Sequence, residues 1–237
     1  MGLFEFFGIG KSNKSKVSML KEAINIGKNN SVQGRIVVGN NCQSIEIRNG
    51  EVFIDGLKVE CEEMRNADKK SHIHITIEVS GNVDSIQVDS GNVNVGGAVN
   101  KDIKSGSGDI HCANVEGSIE MSSGDLHCEN VGGDASTKSG DVVVSGTVGG
   151  NASTSSGDIH VEGSVSGTVS TTQGDISIDG NVEGDVKCGN GDVSSCDVGG
   201  NITVGNGDVE CENVGGYVEV KQGDIDCGDV GLHTKRG

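Results

Sequence analysis

Proline and tryptophan are absent from the 237 residues, and aromatic side chains make up only 2% of them. That scarcity excludes a globular core organised around Phe, Tyr and Trp. No stretch approaches the roughly 18 consecutive apolar residues of a membrane-spanning helix. The eight cysteines contain no C-x-x-C pair, so the metal-ribbon and thioredoxin signatures are missing. Nor is there a G-x-S-x-G, H-E-x-x-H or P-loop pattern. The start, MGLFEFFGIGKSNKSK, has no charged segment followed by a long apolar run. No secretory signal is therefore expected, and a cytoplasmic location with reduced thiols is the default.

What is abundant is glycine, 40 residues of it, together with Val and Ile. Branched aliphatic side chains favour strands because they pack well on a pleated surface. Few aromatics and a net charge of −17 also fit a disordered chain. Periodicity decides against disorder, because Val and Ile recur at fixed intervals. Charge is uneven along the chain. Residues 1–80 are nearly balanced at +1, whereas residues 81–232 hold 25 Asp/Glu against 5 Lys. Such an acidic segment repels nucleic acid and anionic membrane, and attracts cations or basic proteins.

Gly-Asp recurs with Asp at positions 109, 125, 141, 158, 175, 192, 208 and 224, at intervals of 16 or 17 residues. Asn92, in Ser90-Gly91-Asn92, extends the series backwards. Aligning the units exposes five columns. The first follows the Asp directly and runs from Ile110 and Leu126 to Ile225. The second contains Cys112, Cys128, Val144, Val161, Ile178, Ser195, Cys211 and Cys227. The third is Val throughout, from Val115 to Val230. The fourth runs from Ile119 to Val218, and the fifth from Met121 through Thr137, Thr154, Thr171 and Cys188 to Val220. Strand side chains alternate between faces, so these columns are the inward positions. The longer units insert their extra residue just before the third column, where a turn absorbs it without disturbing register.

This pattern predicts an all-β chain whose main part is a parallel β-helix, or β-solenoid, with rungs of 16–17 residues. Rungs stack about 4.8 Å apart, so nine of them make a rod on the order of 40 Å long. Four segments are expected. Residues 1–30 form a tail and a short capping or partner-binding helix, the helix resting on Val17, Leu20 and Ile24 with Gly27 as a stop. Residues 31–79 form an irregular β segment with a charged loop at 60–71. Residues 80–232 form the regular solenoid, and residues 233–237 a C-terminal tail.

Units such as SGDIHCANVEGSIEMSSGDLHCENVGG are similar to bacterial adhesin-labelled β-helix repeat domains of unknown function, over about residues 80–231. That resemblance implies a right-handed β-helix. The rung length and short N-terminal tail also resemble bactofilins, cytoskeletal β-helices that polymerise end to end. Neither family implies catalytic residues or a cofactor.

Three surfaces are candidates for chemistry or binding. The Gly-Asp ladder, with Asp109 and Asp125 among its members, is read as turn punctuation in which Asp bonds turn amides, with cation uptake as the alternative. Beside it, His111 and His127 occupy equivalent places on adjacent rungs, a potential transition-metal platform. The column cysteines are read as small core hydrophobes; neighbouring ones can join across rungs in an oxidising compartment. In the tail, Phe4, Phe6 and Phe7 lie near several lysines, giving residues 1–16 a weak affinity for an anionic membrane. With Leu20, Ile24, Val230 and Leu232 they are candidates for assembly or partner contacts. A non-enzymatic scaffold that self-associates into homo-oligomers is the leading expectation. A binding or inhibitory rod that imitates duplex DNA toward a basic protein is the alternative, followed by an adhesin-like surface protein.

Overall fold

The computed structural model describes residues 19–26, 31–38, 42–48, 51–59, 72–231 and 235–236. They form an all-β solenoid of about nine turns, with no helix among them. The chain opens with β1 (Met19–Ile26), β2 (Ser31–Val38), β3 (Cys42–Arg48), β4 (Glu51–Ile54) and β5 (Leu57–Val59). It then enters β6 (His72–Val79), β7 (Val83–Val88) and β8 (Asn92–Val95) and repeats that pattern to the end. One strand of each rung joins a 12-stranded sheet and the next joins a 13-stranded sheet. A third line of contact runs through the third-column valines, bridged in parallel from Val83 to Val230.

The five columns are the core. Ile110 stands on Val93 and under Leu126, and Ile119 on Ile103 and under Ala135. Nearly every column residue from Ile77 to Val220 is buried in one continuous cluster. Each buried Val or Ile contributes about 1.5–3 kcal/mol relative to an exposed one, so the rod is stabilised evenly along its length rather than at a central nucleus. The 17-residue units behave as their spacing predicts. Cys128 pairs with Val144 and Val131 with Val148, so the added residue is confined to the corner between them. The columns also run back before Ser80. Ile36 and Ile77 continue the first column, Val38 and Val79 the second, and β3 lies parallel to β7 beneath the fourth and fifth.

The short helix expected over residues 16–27 needs correction, because residues 19–26 are strand β1, antiparallel to β2. An isolated helix of this length is marginal in water. The outer edge of β2, by contrast, offers a row of backbone donors and acceptors to any extended segment. The first turns are thus covered by antiparallel strands, β1 on one sheet and the meander β3–β4–β5 on the other. The charged loop at 60–71 lies outside the described residues.

Each rung enters its first strand through a glycine. Gly91, Gly108, Gly124, Gly140, Gly157, Gly174, Gly191, Gly207 and Gly223 have φ between +110° and +147°, a region closed to most side chains. A Cβ on Gly157 would also strike the carbonyl oxygen of Gly140 one rung below. Gly157→Ala should therefore cost more than about 2 kcal/mol. Gly96→Ala, which meets only ordinary contacts, should change stability by less than about 0.5 kcal/mol; thermal melts of the two variants check the pair. A second expectation concerns Ser195, buried in the second column with no hydrogen-bond partner for its hydroxyl. Ser195→Val should raise stability by about 1 kcal/mol, measured by chemical denaturation.

Candidate functional site

The polar atoms at the corners form ladders of their own. Asp125 donates its backbone N–H to Asp109 Oδ1 (3.1 Å), and Asp141 donates to Asp125 Oδ1 (3.0 Å). The chain continues through Asp158, Asp175, Asp192, Asp208 and Asp224 at 2.8 Å each. Asn92 heads it, accepting from Asp109 at 3.0 Å. One oxygen of each carboxylate from Asp109 to Asp208 is thereby committed to the backbone of the next rung. These bonds run from rung to rung at the corner rather than within a single turn.

Two further ladders were not visible as such in the repeat. At the corner before the third column, Thr147 donates its N–H to Asn130 Oδ1, Asn213 to Asp197 Oδ1 and Asp229 to Asn213 Oδ1. At the corner before the fourth, Ser118 donates to Asp102, Asn151 to Asp134, Thr168 to Asn151 and Asn201 to Asp185. Their signal was a short polar acceptor fixed one residue before each column. It is harder to see than Gly-Asp because Asp, Asn and Ser all serve. Asp185 is also held below the usual carboxylate range, first by the Asn201 N–H and then by Lys187. Its contribution to stability is present above the unfolded carboxyl pKa and is lost as pH falls through the lower folded value.

His111 and His127 do stack, with ring centroids 4.7 Å apart and planes within 1° of parallel. They line a shallow groove with Asn94, Glu129, Val143 and Ser145. Parallel rings point their nitrogen lone pairs along parallel lines, so the pair does not converge on one ion. Val143 separates His127 from His160 in the register. Asp109 and Asp125 stay at the corner, occupied as described above. Among the described residues no group of three or more His, Cys, Asp or Glu is placed to hold a metal.

The cysteines among the described residues divide into two classes. Cys112 and Cys128 are joined as a disulfide across adjacent rungs, and so are Cys211 and Cys227, with Cα separations of 4.8 and 4.6 Å. This differs from the expectation of free column thiols, because in-register parallel rungs put equivalent Cα atoms at the separation a disulfide spans. Cys42, Cys188 and Cys196 are free. Burial pushes the Cys42 thiol up to about 12 and the Cys188 thiol up to about 11, with nearby Asp carboxylates adding to both. Both stay protonated near neutral pH and are poor nucleophiles.

Of the assembly candidates, Phe4, Phe6, Phe7 and Leu232 lie outside the described residues. Leu20 and Ile24 fall in β1. Val230 is bridged to Val214 and only partly buried, as are Ile225 and Cys227 beside it. Among the described residues, no strand pairs with the outer edge of Ile225–Cys227.

The family model described as Toastrack DUF4097 matches residues 7–165, well over half of the chain. The chain belongs to the Toastrack DUF4097 family. The match begins in the N-terminal segment and ends at the third-column Val165, and the same columns continue beyond it. No curated protein and no solved structure matches the chain. Family membership therefore accounts for the repeat fold and supplies no ligand or reaction.

The corner ladder can be tested by separating hydrogen bonding from charge. Asp125→Asn retains the acceptor for Asp141 and should melt at or slightly above the parent temperature, as Asn92 already does the same work. Asp125→Ala should lose about 1 kcal/mol. Added Ca²⁺ should shift neither melt.

Proposed function

We propose that this Toastrack chain is a non-enzymatic structural rod that assembles with copies of itself, end to end. The C-terminal edge is the observation that supports this most. The 12-stranded sheet ends on Ile225–Cys227, with Ile225, Cys227 and Val230 incompletely covered, while Lys235–Arg236 closes the other sheet over Val218–Gln222. At the opposite end β1 and β5 are the outermost described strands of the two sheets, so they offer edges for that rung to meet. An uncovered rung of a solenoid is a template for another chain, since it exposes both apolar columns and unpaired backbone groups.

Charge selects the orientation. Residues 81–232 are strongly acidic, while residues 1–80 are near neutral. Three of the five lysines in the acidic part, Lys101, Lys104 and Lys187, are already engaged by Asp84, Glu120 and Asp185. Joining two C-terminal ends would bring acidic rungs together. Joining a C-terminal end to an N-terminal end avoids this, and a head-to-tail contact that does not close on itself gives filaments.

A second reading has its own support in the same surplus of carboxylates: a rod that occupies a basic groove on another protein. Light scattering and negative-stain microscopy across protein concentration distinguish the two. Self-assembly predicts particles that lengthen with concentration, and Ile225→Lys combined with Val230→Asp should abolish the lengthening while leaving the fold intact. Monodisperse single rods at the highest soluble concentration would contradict it. A salt-sensitive, stoichiometric complex with one basic protein would support the second reading instead.

A further inference from the structure

We infer that the Cys211–Cys227 disulfide is a redox latch that fixes the last rung, and with it the edge on which another copy would stack. The second column contains both cross-rung pairs, yet they sit in different surroundings. Cys112–Cys128 has a rung on either side, with Cys112 on Val95 and Cys128 under Val144. Reduction there leaves two thiols packed in an intact column. Cys227 lies in Ile225–Cys227, which pairs with Val209–Cys211 on one side only. Its apolar neighbours Ile225 and Val230 are only partly buried. The covalent bond to Cys211 therefore adds to a one-sided set of backbone hydrogen bonds, such as Gly228 N–H to Cys211 O, in tying this strand down.

Cys211 is 8% exposed, the same as Cys112 in the internal pair, so the difference lies in Cys227, which is only partly covered at the end of the column. A small thiol or disulfide reagent can therefore reach Cys227 from the rod's end. In the oxidising direction, one thiolate attacks a disulfide such as oxidised glutathione and releases one glutathione thiol. The second cysteine then displaces the other glutathione from the mixed disulfide. Two cysteine protons and two electrons leave, one S–S bond forms, and the oxidant becomes two thiols.

The latch deepens the end-to-end reading and rests on it only for its consequence. Its own test is hydrogen exchange on the full chain, diluted until it is monomeric, in oxidised and in reduced glutathione. Intact mass after alkylation counts the free thiols in each state. Oxidation should slow exchange at residues 225–230 by about tenfold or more while leaving residues 110–131 unchanged. Cys227→Ser should exchange like the reduced chain in both buffers, and Cys112→Ser should keep the response. Equal protection at 225–230 in both buffers, or a Cys211–Cys227 pair that never forms, would overturn the latch. Assembly is then scored separately by light scattering. A latch without assembly would sink the end-to-end reading alone, and assembly indifferent to redox state would sink the proposed consequence.

Discussion

Backbone lies directly on backbone at the first corner of every rung, and the rest of the structure depends on that contact. The glycine of one rung sits so close to the glycine below that a single methyl group could not be placed between them. Its N–H donates upward to the next rung, as Gly140 does to Ser156 at 2.8 Å. With that corner fixed, the following strand starts in register, and Ile stands on Val and Val on Ile for the length of the rod. The Asp beside each glycine secures the same corner from outside by accepting the next rung's amide. Stacking carboxylates at this spacing costs electrostatic repulsion, and a charge-assisted hydrogen bond at each step offsets it.

Uniform stacking also shapes what the molecule can do. A regular rung has no long excursion in which to assemble a cleft, and the outward side chains repeat instead of converging. His111 and His127 illustrate this: register brings them together, and the same register keeps their rings parallel. The proposed end-to-end contact accordingly falls where the repetition stops. The incompletely covered columns lie at the C-terminal end, and the near-neutral segment lies at the other.

Much of this was legible in the sequence because a solenoid writes its contacts at a constant separation. The columns, the place of the inserted residue and the corner position of Gly-Asp could all be aligned by eye. Three things resisted. The second and third corner ladders use three interchangeable acceptor types, as Ser118, Asp134 and Asn151 on the same ladder show, so no single letter marks them. The first strand was hidden because Leu20 and Ile24 satisfy helical spacing as well as strand parity, and only the open edge of β2 decides between them. The cysteine pairs were visible as neighbours, but the missing secretory signal favoured free thiols and could not weigh the short Cα separation that parallel register imposes. Before Ser80 the periodic signal fades, although Ile77 and Val79 stand in the same columns as their successors.

Cryo-electron microscopy of assembled particles tests the central claim most directly. The rung spacing within one chain is about 4.8 Å. If a C-terminal edge stacks on the N-terminal strands of the next copy, that repeat should pass through each junction without a break, with all copies pointing the same way. Particles in which rods lie side by side, meet C-terminus to C-terminus, or leave a gap in the repeat at every junction would contradict it.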